Sequence, residues 1–145
     1  MSKLDFFNKE QEDSIVHAIQ EAEKNTSGEI RVHIDDSFKG KDVMKHAISI
    51  FEMLKMSETK ARNGVLFYLA TQTNQFVVLG DIGINKVVPT NFWESTKEKV
   101  INKFKQGEFT EGLTEGIKEA GEQLKTYFVY QSNDVNELPD EISKR

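Results

Sequence analysis

The sequence predicts an α/β protein: a three-layer α/β/α sandwich in which a small mixed β-sheet is flanked by helices. Three observations carry this reading. Residues 29–35 alternate strictly, with Ile30, Val32 and Ile34 on one face and Arg31 and His33 on the other, as in a half-buried strand. Residues 64–70 (Gly-Val-Leu-Phe-Tyr-Leu-Ala) are apolar almost without interruption, the signature of a central strand covered on both faces. The segments around them place apolar residues at helical spacing.

Taken in order, the first helix spans Asn8 to Lys24, with Ile15, Val16, Ala18, Ile19 and Ala22 inward and Asn8 with Gln11 as a capping pair. Asn25-Thr-Ser-Gly28 breaks it before the 29–35 strand. A second helix runs from about Asp42 to Lys55 and presents Val43, Ala47, Ile50, Phe51 and Leu54. After the central strand, Thr71 to Gln75 are a hairpin connection into Phe76–Leu79. Ile84 to Val88 read as a short further edge segment. Asn91 and Glu94 cap a third helix with Trp93, Val100, Ile101 and Phe104 inward, stopped by Gly107. A fourth runs from about Thr110 to Val129. Residues 1–130 form the domain, and 131–145 read as an acidic, flexible C-terminal tail.

The composition suits a single domain of 145 residues, 37% hydrophobic and 30% charged. Lys and Arg number 19 against 24 Asp and Glu, a formal charge of −5, which argues against a nucleic-acid binder. The absence of cysteine removes disulfides, thiolate metal sites and a cysteine nucleophile, so a metal site here needs oxygen ligands. With no secretory signal pattern and no apolar run of bilayer length, the expectation is a cytoplasmic monomer without membrane insertion.

Topology decides which loops meet. A parallel connection through the second helix brings the first two strands to start at one end of the sheet, and the hairpin returns the third strand there. Glu29, the Arg62-Asn63-Gly64 turn and Gly80-Asp81-Ile-Gly83 should converge, whereas Asp35, Asp36 and the 71–75 hairpin lie at the opposite end. Asp81, Asn63 and Glu29 offer oxygen ligands for Mg²⁺ or Ca²⁺. Asp35 and Asp36 are the second choice. Glu111, in the first turn of the last helix, suits a helix N-terminus. His17, His33 and His46 are scattered over helix, strand and helix, and read as surface or structural residues. No nucleophile elbow, phosphate loop or zinc-protease motif is present.

Thr26-Ser-Gly-Glu-Ile-Arg-Val32, Asn63-Gly-Val-Leu-Phe-Tyr-Leu-Ala70, Gly80-Asp-Ile-Gly83 and Gly107-Glu-Phe-Thr-Glu-Gly-Leu113 occur in order and together resemble a TPM domain over about residues 5–130. The resemblance implies an α/β/α sandwich with a divalent cation at an acidic cleft, and for some members acid phosphatase activity. One departure matters: Arg62 stands where phosphatase-like members carry the Asp of Asp-Asn-Gly. The sequence therefore favours a metal-binding interaction or regulatory module, with Asp81, Asn63, Glu29 and Glu111 as ligands and a protein partner left open. The alternative is a metal-dependent acid phosphatase using Asp81 and Arg62.

Overall fold

The computed structural model describes residues 6–130 and 136–144. The chain forms α1 (Lys9–Glu23), β1 (Glu29–Asp35), α2 (Val43–Met53), a 3₁₀ turn at Met56–Glu58, β2 (Gly64–Ala70), β3 (Gln75–Gly80), α3 (Ile82–Asn85), α4 (Glu94–Lys105), α5 (Phe109–Leu124) and β4 (Ser143–Lys144). The sheet order is β3-β2-β1-β4. β1 runs parallel to β2, with Glu29 opposite Gly64 and Asp35 opposite Ala70. β3 returns antiparallel, so Gly80 pairs with Val65 at the end where β1 and β2 begin.

Strand parity sorts the side chains into two cores. Ile30, Val32, Ile34, Val65, Phe67, Leu69 and Val78 meet α1, α4 and α5 on one face. Leu66, Tyr68, Ala70 and Val77 meet Ala47, Ile50 and Phe51 of α2 on the other. The three-layer sandwich follows from a central strand with both faces apolar. The α1 capping box expected at Asn8 and Gln11 is present, each side chain bonding the other's backbone N–H at 2.8 Å.

Three boundaries differ from the sequence reading. The edge segment expected at Ile84–Val88 is instead the end of the helical turn α3 and the turn that follows it, the Asp81 carboxylate capping the N–H of Ile82 where α3 begins. α4 starts at Glu94 with no side-chain cap, so Asn91 is not its N-cap. α5 stops at Leu124 rather than Val129, and the chain beyond bends back so that Val129 bridges Thr26 of the α1–β1 loop.

The C-terminal segment needs the largest correction. Of the expected flexible tail, residues 131–135 and 145 lie outside the described residues, but 136–144 are folded onto the free edge of β1. Leu138 is buried in the α2-side core, Ile142 packs on the opposite core, and β4 pairs in parallel with His33 and Ile34. An exposed strand edge is a row of unpaired N–H and C=O groups, and this strap covers it.

α5 approaches its neighbours through small residues. A Cβ at Gly116 would sit 2.4 Å from Val100 Cγ2 on α4. Gly116→Ala should therefore lower the urea midpoint, costing about 1–3 kcal/mol of overpacking against roughly 1 kcal/mol gained in helix propensity.

Candidate functional site

The convergence expected at the start of the parallel strands is present in the backbone. Glu29 N–H donates to Asn63 O at 3.1 Å and Asp81 N–H to Gly64 O at 2.9 Å. The side chains, however, do not share a ligand shell. Asp81 is gripped by Arg62, Nε to Oδ2 at 2.8 Å and Nη2 to Oδ1 at 2.9 Å, while Oδ1 also caps Ile82 N–H at 2.7 Å. Asn63 donates from Nδ2 to Ser27 O at 3.0 Å and lies against the Thr59 hydroxyl. Glu29 turns toward the strap, where Oε1 accepts the N–H groups of Glu137 at 2.7 Å and Leu138 at 2.6 Å. Glu111 is elsewhere, paired with Lys103 at 3.2 Å on the outside of the α4–α5 pair. Its turn begins at Phe109, which packs on Phe104, itself against Phe76 at the hairpin end of β3. Asp81, Asn63, Glu29 and Glu111 are thus dispersed.

A different acidic constellation forms where α1 ends, β1 begins and the strap passes. A pocket of about 210 Å³ is lined by Glu23, Glu29, Asp140, Asn136 and the Thr26–Gly28 turn. Glu23 accepts Ile30 N–H at 2.9 Å. Burial pushes its carboxyl up to about 9; the hydrogen bond to Asp140 and the charges of Asp140 and Glu29 add to this, and the Ile30 N–H opposes it. Burial likewise raises Glu29 to about 7 in spite of the Leu138 and Glu137 N–H groups, with the charge of Glu137 adding to the rise. A carboxyl raised to about 9 keeps Glu23 in its protonated form at neutral pH. Glu23 and Asp140 escape a sequence reading because they sit 117 positions apart and only the folded strap brings them together.

At the opposite end of the sheet, Asp35 is the hub of a buried network. Oδ1 lies 2.8 Å from His33 Nε2; Oδ2 lies 2.9 Å from His46 Nε2 and accepts the Tyr68 hydroxyl at 2.6 Å. His33 Nδ1 continues the chain to Ser143 Oγ of β4 at 2.8 Å. Burial alone would raise the Asp35 carboxyl, but hydrogen bonds from Tyr68, His46 and His33, with the charge of His33, together hold it below the usual carboxylate range. Asp36 contributes its carbonyl, which accepts Gln72 N–H at 2.8 Å. His33 and His46, read as unconnected, are joined by one carboxylate. The signal was parity: His33 and Asp35 are two apart on a strand, so both point at the layer that α2 supplies. Among the described residues, no three His, Asp or Glu side chains are already arranged as a metal ligand set, and no helix is long and apolar enough to cross a membrane.

Comparison with known proteins locates this architecture. The family model described as the TPM domain matches residues 2–123. The chain is similar to the BA42 protein from the psychrophilic bacterium Bizionia argentinensis, at 48% identity over 100% of both chains with a TM-score of 0.92. The fold alone is shared with the N-terminal domain of a P. gingivalis protein, at 16% identity, 88% coverage of this chain, 83% of that one and TM-score 0.71. It is also shared with the N-terminal domain of the cg2496 protein from Corynebacterium glutamicum, at 12% identity, 97% and 82% coverage and TM-score 0.65. No curated protein matches the chain in sequence.

Proposed function

Since the chain belongs to the TPM domain family, we propose that it acts as a divalent-cation-binding interaction or regulatory module rather than a hydrolase, with Glu23, Glu29 and Asp140 holding Mg²⁺ or Ca²⁺. The observation that carries this reading is the pocket lined by all three carboxylates, where α1 ends, β1 begins and the strap passes. Their oxygens, with those of Asn136, Thr26 and Ser27, are the hard donors that such ions take. A bound ion would supply the positive charge that the proton on Glu23 now supplies in part. Because the acids are not drawn to a single point, the ion would keep much of its water shell and be held through it, as Mg²⁺ commonly is. Asp140 and Asn136 belong to the strap, so occupancy would brace the strap against the start of β1. The phosphatase reading needs Arg62 and Asp81 free to meet a phosphate, and each is engaged by the other.

Ca²⁺ or Mg²⁺ titration followed by amide NMR tests this. At pH 8, saturable shifts are expected at Glu23, Gly28, Glu29 and Asp140, with protons released. Asp140→Asn should weaken binding at least tenfold. Since Glu23 and Glu29 carry protons up to about 9 and 7, affinity should rise with pH across that window. Shifts confined to Asp35 and Asp36 would move the site to the other end of the sheet, and no shift at millimolar ion would remove the cation reading.

A further inference from the structure

The turn before β2 is where the family resemblance implies a metal ligand, and the residues present there do not fit an ion. The reason is specific. The Asp81 side chain is 4% exposed, and both oxygens are already bridged by the Arg62 guanidinium at 2.8 and 2.9 Å. A planar fork on a carboxylate satisfies the charge and both oxygens, which is what a bidentately bound divalent ion would do.

The backbone is built around this pair. Arg62 adopts a left-handed conformation with φ 50°. Its carbonyl accepts Gly83 N–H at 2.9 Å. A Cβ at Gly83 would lie 2.1 Å from Ala61 O and 2.5 Å from Arg62 O, so the two loops approach as closely as glycine alone permits. The Asp81 carbonyl accepts Ile84 and Asn85 N–H, both at 3.0 Å, starting α3. One ion pair and one backbone bond therefore clamp the turn before β2 to the turn after β3.

We propose that Arg62 is a built-in cation: its guanidinium neutralises Asp81 and ties the two loops in place of a divalent ion, and the loop pair becomes a Ca²⁺ or Mg²⁺ site when residue 62 is an acid. A guanidinium stays charged at every accessible pH and cannot dissociate from the chain. A clamp made with it holds irrespective of cation supply. A buried carboxylate left without a partner is strongly destabilising, so the loop demands one cation or the other. Asp and Asn are among the non-glycine residues most often found in left-handed backbone, which makes Arg62→Asp and Arg62→Asn compatible with the turn. This inference is independent of the pocket at Glu23 and Asp140, and the amides that report on it, those of Asp81, Ile82 and Gly83, belong to a different part of the chain.

The test is a Ca²⁺ titration of the wild-type chain, Arg62→Asp and Arg62→Asn, read by amide NMR and thermal unfolding. In the wild type, Asp81, Ile82 and Gly83 should not shift at millimolar Ca²⁺. In Arg62→Asp they should shift saturably, with Kd on the order of 10⁻⁴–10⁻³ M as for weak oxygen sites, and Asp81→Asn in that background should abolish the effect. Arg62→Asn leaves Asp81 without a cation, with only the Ile82 N–H on its carboxylate, so its Tm should fall and be raised by Ca²⁺ more than the wild-type Tm is. Saturable wild-type shifts at Ile82 and Gly83 would overturn the proposal. So would a folded Arg62→Asp that binds nothing at Asp81. If Arg62→Asp does not fold, a Ca²⁺ response of Arg62→Asn no larger than that of the wild type has the same force.

Discussion

Asp35→Ala should cost on the order of 3–5 kcal/mol of folding stability, among the largest effects expected of any single substitution in this chain. The carboxylate is the common partner of His33, His46 and Tyr68, contributed by β1, α2 and β2. His33 and Tyr68 are wholly buried, sit opposite each other in the β1–β2 register and stack with ring centroids 6.0 Å apart. Removing the acid takes from a buried hydroxyl and an imidazole the acceptor they have in common, and each bond lost in this layer carries a cost of about 1–3 kcal/mol. Asp35→Asn should cost roughly half as much. With the amide oxygen in the place of Oδ2 it still accepts from Tyr68 and His46, and a neutral His33 can exchange tautomer so that its Nε2 accepts from the new amide N–H in the place of Oδ1. Tyr68→Phe, which removes one bond of the three, should cost about 1–2 kcal/mol. Urea unfolding of the three variants orders them. The pH dependence has a definite sign as well. The folded Asp35 carboxyl lies below its unfolded value, so its stabilisation is complete above about pH 4 and is lost as pH falls further. Asp35→Asn should flatten that acid limb. An Asp35→Ala variant as stable as the wild type would mean that the network is ornamental.

Strand and helix periodicity revealed the layers of this fold because each element's burial repeats within a few residues. Parity placed Ile30, Val32 and Ile34 in one core and Arg31 with His33 on the opposite face, which was expected to be open but is buried under α2, and the parallel crossover brought Glu29, Asn63 and Asp81 to one end. What periodicity cannot carry is the direction in which a polar side chain turns once it arrives. Asp81 had a cationic neighbour in the Arg62 turn and took it, whereas Glu29 had two backbone N–H groups from the strap. The strap itself left a trace in Leu138 and Ile142, apolar residues four apart on either side of Pro139. Composition averaged them into an acidic tail, yet β1 with a single hydrogen-bonded neighbour was an edge in want of cover. His46 joined Asp35 through the packing of α2 on the sheet, a contact that depends on tertiary register and leaves no local signature.

Ending the chain at residue 135 should reduce stability by about 3 kcal/mol near pH 5 and by on the order of 1 kcal/mol near pH 9. The loss at low pH comes from Leu138, whose burial is worth about 2 kcal/mol, and from the reopened β1 edge, with the contact between Lys144 and Glu12 adding little. The narrowing of the gap comes from the strap's electrostatic cost. By closing over the α1–β1 junction it desolvates Glu23 and Glu29 and sets Asp140 beside Glu23, which raises the two carboxyls to about 9 and 7. An acid whose folded pKa lies above its unfolded one binds more protons folded than unfolded, so the intact chain loses stability as pH climbs from about 4.5 through 7 to 9. Without the strap both acids return to water and that slope disappears. Glu23→Gln separates the two contributions, because the amide keeps the shape of the protonated acid and can donate to Asp140 at any pH. It should match the wild type near pH 5 and exceed it by on the order of 2 kcal/mol near pH 9, a figure discounted for the carboxyl's solvent-facing side. Thermal unfolding of the intact, truncated and Glu23→Gln chains at pH 5, 7 and 9 would show three distinct slopes. A truncated chain that kept the full alkaline decline would place its origin outside the strap and the pocket it closes. Millimolar Ca²⁺ at pH 9 should restore part of the intact chain's lost stability and none of the truncated chain's, since only the intact chain presents Asp140 to the ion.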